Sequence, residues 1–265
     1  MDIHWERNTW QTIEKISKES AVVIVPVGSV EQHGHHCPID TDSTSVNAVA
    51  VAAAEKLFNK GIKALVCPQV WYGYSKHHMD FPGTITVSSE VLEETLVQIC
   101  KSILHHGFTN ILILNGHGGN IHTALIAGRR VGEEVETGPR PVIAVASYWD
   151  IGAKSINAIR ESPPGGIAHA GEFETSMQLY LREEYVKKEL IKDCTIKIDT
   201  EYLILDLTYS GPVGFWHNVK DVSETGACGD PTLASKEKGE RFFNAVVSDL
   251  AEFLEEFKGW KIGEV

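Results

Sequence analysis

The chain has 265 residues, 43% of them hydrophobic and 23% charged, which excludes a disordered or fibrous protein and suits one α/β core. A formal net charge of −12 argues against nucleic acid as a partner, because affinity for a phosphate backbone draws on clustered Lys and Arg. No apolar run approaches the ~20 residues of a membrane span, the N-terminus lacks a signal-peptide pattern, and five scattered cysteines without a C-x-x-C pair fit a cytoplasmic protein.

In chain order, Trp10, Ile13 and Ile16 at helical spacing predict an amphipathic helix over 9–20. The β-branched run over 21–27, closed by Gly28 and Ser29, predicts a buried strand. An alanine-rich stretch over about 44–58 should be helical, with Gly61 beyond its end. A short strand over 64–68, a loop over 72–83, a helix over 89–106 stopped by Gly107, and a strand over 110–114 come next. A helix over 121–136, a strand over 141–147, and helices over 172–181 and 235–257 complete the pattern, with loops at 138–141 and 162–166. Strands that alternate with helices imply a three-layer α/β/α fold around a mostly parallel sheet, here as a single domain over 1–265. Ligands of such sheets sit beyond the carboxyl ends of the strands.

Three polar clusters fall at suitable places. The first, over 31–42, reads Glu-Gln-His-Gly-His-His-Cys-Pro-Ile-Asp-Thr-Asp and directly follows a strand. The second, over 115–120, is Asn-Gly-His-Gly-Gly-Asn between a strand and a helix, and the third, over 169–174, is His-Ala-Gly-Glu-Phe-Glu at a helix start. Carboxylate oxygens and imidazole nitrogens are the donors that hold zinc, manganese or iron. Each cluster also has a plainer reading: a polar surface loop, a phosphate cradle, and acids favoured by a helix dipole. The second lacks the Lys-Ser/Thr ending of a P-loop. On a helix Glu172 and Glu174 point roughly 200° apart, so only one can face a site.

Together the clusters resemble the creatininase family, whose members show Gly-Ser-x-Glu-Gln-His-Gly…Thr-Asp, Asn-Gly-His and His-Ala-Gly-x-x-Glu-Thr-Ser in this order. The likeness extends to Tyr72-Gly-Tyr-Ser-Lys-His-His78…Phe81-Pro-Gly-Thr84 and to residues 225–231. It implies two divalent ions per subunit, zinc and/or manganese with iron as a further option. Asp42 would bridge them, Glu31 and His117 would hold one, and His33 with a second carboxylate would hold the other. Creatininase itself reads Asn-Gly-His-Tyr-Glu-Asn in the second motif. Gly118 and Gly119 stand here instead, so the missing carboxylate falls to Glu174, preferred over Glu172, as in relatives with Asn-Gly-His-Gly-Gly-Asn.

By the same resemblance His169 delivers a proton to the leaving group, and His78, Trp149, Gly118 and Gly119 meet a small-molecule substrate. The reaction implied is attack of a metal-bound hydroxide on the carbonyl of a small cyclic or linear amide. Opening of a cyclic diketone derived from inositol, of the 3-dehydro-scyllo-inosose type, is the alternative. A non-catalytic metal-binding protein is the alternative of another class. The family also implies a homo-oligomer, expected as a hexamer.

Overall fold

The computed structural model describes residues 1–134, 140–197, 200, 202–209 and 211–261. Its centre is a four-stranded sheet, β1 (Val22–Val27), β2 (Ala64–Val66), β3 (Asn110–Asn115) and β4 (Val142–Ser147), in the order β2-β1-β3-β4. All pairs are parallel, and Val27, Asn115 and Ser147 lie side by side at the carboxyl edge. Every residue of β1 and β3 is buried, which is why these segments read as unbroken apolar runs rather than alternating ones.

The two faces carry separate cores. Val23, Val25, Ile111 and Ile113 pack under α1 (Trp10–Ser17), α3 (Ser89–His105) and α4 (Ile121–Glu134). Val22, Ile24, Leu112 and Leu114 pack under α2 (Thr41–Asn59) and the later helices α5 (Tyr148–Ile151), α6 (Ala153–Ile159), α7 (Glu172–Arg182) and α9 (Lys236–Phe257). A single turn, α8 (Val219–Val222), lies between α7 and α9. This is the expected three-layer α/β/α arrangement with a parallel sheet.

Helix ends follow local chemistry. The hydroxyls of Thr9, Ser88 and Ser235 accept N–H groups of Thr12, Val91 and Lys238 and so cap α1, α3 and α9. Among the described residues no helix is long and apolar enough to cross a membrane. Two differences from the expected elements bear on the site. The second helix begins at Thr41 and not near 44, which puts Asp42 in its first turn. Its usual cap is missing because the Asp40 carboxylate pairs instead with Arg182, at 2.7 Å. The expected end of the fourth helix, residues 135 and 136, lies outside the described residues, as do 138 and 139 of the predicted loop.

Candidate metal centre

Three chain reversals at the carboxyl edge of the sheet bring the site together. After β1 the chain runs through Gly28 and Ser29 to Glu31 and His33, and Gly28 is tightly held: a Cβ there would fall under 3.0 Å from Ser43. After β3, Asn115 ties down its own turn. Its amide accepts the His117 N–H at 3.1 Å and donates to the His117 carbonyl at 2.8 Å and to Ser147 on β4 at 3.2 Å. The third reversal carries His169 and Ala170 into α7; Ala170 adopts φ +55°, a left-handed conformation costly for a residue with a side chain. Its N–H donates to Glu174 Oε2 at 2.7 Å, so the strained turn fixes this carboxylate.

Glu31, His33, Asp42, His117 and Glu174 converge, all of them buried. Asp42 sits between the others. Its Oδ1 lies 3.0 Å from His33 Nε2 and its Oδ2 lies 3.2 Å from His117 Nδ1. Glu31 Oε2 is 3.1 Å from His117 Nδ1, and Glu174 Oε2 is 3.9 Å from His33 Nε2. Geometry permits a cation among Glu31, Asp42 and His117, and another among His33, His169 and Glu174.

The hydrogen bonds show which ring nitrogens are free. His117 Nε2 donates to the Tyr74 carbonyl at 3.1 Å, His33 Nδ1 to the Glu31 carbonyl at 3.1 Å, and His169 Nε2 to the Gln32 carbonyl at 2.7 Å. In the neutral rings the opposite nitrogens, His117 Nδ1, His33 Nε2 and His169 Nδ1, then present lone pairs to the carboxylates. Backbone carbonyls that orient histidines in this way are usual behind metal ligands. Glu31 Oε1 and Asp42 Oδ2 are buried with no hydrogen-bond partner among the described residues. Lone pairs cannot satisfy lone pairs. Either imidazolium protons or cations must fill the space between them, and the donor set of carboxylates and imidazoles suits zinc or manganese.

Electrostatics agree with this picture. Burial opposes charge on His33, yet Asp42 raises it to about 10, and against the same burial Glu31 and Asp42 hold His117 well above its ordinary value. Burial would push Glu31 upward, but His117 and His78 hold it well below the usual carboxylate range. Burial lifts Glu174 to about 7, against the pull of His33. Burial also keeps His169 well below its ordinary value, hence neutral. A cation among these carboxylates would replace the protons that they now attract to the imidazoles.

Glu172 and Glu174 part as their helical spacing requires. The carboxylate of Glu172 turns away, accepts the N–H groups of Glu161 and Ser162, and pairs with the buried Lys238 ammonium at 2.7 Å. Of the residues expected to meet substrate, His78, Gly118 and Gly119 line a cavity of about 220 Å³ over the centre. Trp149 is not among its lining residues. It is 2% exposed and packs edge-on against Tyr148 in the core, because α5 turns its first residues under the sheet as soon as β4 ends. Conversely, His77 and His217 line the cavity, though the sequence alone assigns a role to neither. His77 stacks on His117 with the rings 13° apart. Gln32, inside the first motif, contacts His78 Nδ1 at 2.7 Å and donates to the Gly226 carbonyl at 3.0 Å. Of the other motif histidines, His35 is exposed and His36 is buried against Thr175.

A family model described as creatinine amidohydrolase matches residues 6–254. The mycofactocin precursor peptide peptidase of Mycolicibacterium smegmatis is 33% identical over 91% of this chain and 85% of its own length. The creatinine amidohydrolase of Pseudomonas putida is 30% identical over 94% of each chain, and the 3-dehydro-scyllo-inosose hydrolase of Thermotoga maritima is 28% identical over 95% of this chain and 82% of its own. A crystal structure of creatininase superposes with a TM-score of 0.82 at 27% identity, covering 97% of this chain and 98% of that one. Similar solved structures include a manganese form of creatininase and a variant of the Zn-Zn type. With a match that spans nearly the whole chain and a fold shared over the same length, this protein belongs to the creatininase family of metal-dependent amidohydrolases.

Proposed function

We propose that the chain hydrolyses the carbonyl–nitrogen bond of a small amide with two divalent ions, zinc and/or manganese. Glu31, Asp42 and His117 hold one ion, and His33, Asp42 and Glu174 hold the other. The observation that carries this reading is the set of converging lone pairs around Asp42, with Glu31 Oε1 and Asp42 Oδ2 unpaired. When bound, such ions polarise a carbonyl and lower the pKa of a water from about 15.7 toward 7.

The protein's own residues supply the rest. His169 stays neutral, its Nε2 proton held by the Gln32 carbonyl, and its Nδ1 faces Glu31 Oε1 at 3.6 Å. It can therefore take a proton at Nδ1 and return it to a leaving nitrogen, a role worth typically ~10² to 10⁴ in rate. Gln32 keeps both rings in place, its backbone carbonyl accepting from His169 Nε2 and its side-chain amide donating to His78 Nδ1 at 2.7 Å. Gly118, where an added Cβ would meet nothing within 4 Å, leaves room beside His117 for the substrate.

Ring opening of an inositol-derived diketone is the weaker alternative, because Leu205, Leu207 and Val219 line the cavity and would leave ring hydroxyls without partners. A purely structural metal site would favour four closed ligands rich in cysteine, whereas the five residues here are carboxylates and imidazoles. Tyr202, Val213, Phe215 and Trp216 are exposed apolar side chains that suit the contact face of a homo-oligomer, expected as a hexamer and measurable by light scattering.

The test is a metal count followed by a hydrolysis screen across small lactams, formamides, short peptides and cyclic ketones. We expect about two ions per chain, and turnover of an amide that a chelator abolishes and manganese or zinc restores. A folded protein that holds ions and turns over only cyclic ketones would overturn the amide reading.

A further inference from the structure

The cavity over the metal centre has a wall that none of the three motifs provides. Leu205, Asp206 and Leu207 form one side of it, and His217 and Val219 continue it. The wall is held firmly, since the Leu207 N–H donates to the Ile167 carbonyl at 2.7 Å and Leu207 also packs on the core beneath the sheet.

Asp206, between the two leucines, is fully neutralised. Arg160 grips it with both Nη atoms, at 3.1 Å to Oδ1 and 2.8 Å to Oδ2, and Gly165 N–H donates to Oδ2 at 2.8 Å. The side chains of this pair are 6% and 0% exposed. The remaining guanidinium donors reach the Ser162 and Pro163 carbonyls and the Thr208 hydroxyl, so Arg160 has nothing left for a ligand. Among the described residues that line the cavity, none is Lys or Arg. A phosphate or carboxylate beside this wall would find no free cation, whereas an apolar group would find Leu205, Leu207, Val219, Ala168 and Cys228. Among the described residues of that side, His217 Nδ1 is a buried side-chain nitrogen with no hydrogen-bond partner, its ring stacked on Phe215.

We propose that Leu205, Leu207 and Val219 form a specificity wall that selects substrates bearing an uncharged apolar group beside the reacting carbonyl, with His217 offering that group's neighbour one hydrogen bond. Arg160 and Asp206 are positioning residues that lock this wall to the loop leading into His169. The proposal rests on the metal-centre reading, and its test separates the two.

Protein loaded with manganese is titrated by calorimetry with acetohydroxamate and with phenylacetohydroxamate, which share a metal-seeking head and differ in an apolar tail. The tail should tighten binding to the wild type about tenfold or more, the gain expected for burying a phenyl group. Leu205→Asn should reduce that gain to about threefold or less while acetohydroxamate binds as before, and Leu205→Met should retain it. An equal gain in wild type and Leu205→Asn, or no gain in wild type, overturns the wall. Failure of acetohydroxamate to bind wild-type protein that holds manganese overturns the metal-centre reading itself, and the wall with it.

Discussion

Glu172 and Glu174 lie two residues apart, are both buried, and should respond to the same substitution in opposite ways. Glu172→Gln removes the buried carboxylate paired with the Lys238 ammonium, whose side chain is 6% exposed, and leaves that charge only the solvent-exposed Glu161 carboxylate at 3.2 Å. Breaking one side of a buried pair costs about 3–5 kcal/mol, so the variant should unfold at markedly lower urea yet bind the same number of ions while folded. Glu174→Gln removes a carboxyl that burial raises from 4.5 to about 7. Between those values the folded state holds a proton that the unfolded state has released, so this group makes stability fall as pH rises through the window. Above pH 7 it costs the metal-free fold up to roughly 3 kcal/mol. Glutamine carries no such cost, and its amide oxygen can still accept the Ala170 N–H. Metal-free Glu174→Gln should therefore match or exceed the wild type in urea at pH 8, while its metal content falls from about two ions to about one. Urea denaturation of the metal-free forms, paired with elemental analysis of the loaded forms, reads both effects. Retention of two ions by Glu174→Gln, or loss of one by folded Glu172→Gln, would refute the assignment.

The two glycines beside His117 should also differ. A Cβ at Gly118 meets nothing within 4 Å, so Gly118→Tyr should fold normally and only narrow the cavity, seen as weaker binding of bulky hydroxamates. A Cβ at Gly119 falls under 3.0 Å from the Tyr74 carbonyl and from His117 Nε2, so Gly119→Ala should cost about 1–3 kcal/mol in urea and weaken metal binding at His117. His169→Asn should keep both ions by elemental analysis while kcat falls by ~10² to 10⁴. Burial holds His36 down to about 4, against 6.5 for a free imidazole, so its contribution is complete above pH 6.5 and is lost as pH falls toward 4. His36→Gln should flatten that acid limb by up to roughly 3 kcal/mol in denaturation curves taken from pH 7 to 4.

What the sequence discloses follows from how local each feature is. Strands buried on both faces, such as Val22–Val27 and Asn110–Asn115, are readable because their whole length must be apolar. Glu31, His33, Asp42 and His117 are readable as candidates because each follows a strand or opens a helix at the sheet's carboxyl edge. The preference for Glu174 over Glu172 comes from the motif, whereas the pairing of Glu172 with Lys238, 66 residues away, is something no local pattern reveals. His77 and Gln32 sit within motifs that were already noticed, and their proximity was the only available signal. His217 had none, since it reaches the cavity from an irregular segment without periodicity. Trp149 misleads for the converse reason. A tryptophan just after a strand is well placed for a cleft, yet its burial is decided by Tyr148 and the helices packed around it.

The first and third motifs form one mechanical unit with His78 and Gly226, and Gln32 shows why. Its Oε1 accepts the Gly34 N–H at 2.8 Å, which fixes the amide with its nitrogen toward His78 and the Gly226 carbonyl. Gly226 must be glycine for this contact: it adopts φ +90°, and a Cβ would collide with the Gln32 amide. The backbone carbonyl of Gln32 meanwhile takes the His169 Nε2 proton, and the neighbouring Glu31 carbonyl takes that of His33 Nδ1. Two adjacent peptide groups after β1 thus set the tautomers of one candidate ligand and of the candidate proton carrier. Glu31, whose side chain is held by Ser29 at 3.0 Å and Ser75 at 2.5 Å, immediately precedes those peptides. Moving this loop would disturb ion binding, proton transfer and the His78 wall of the cavity together. The hydroxyls that hold Glu31 all reach Oε2 and leave Oε1 without a hydroxyl donor, facing His78 Nε2 at 3.4 Å and His169 Nδ1 at 3.6 Å.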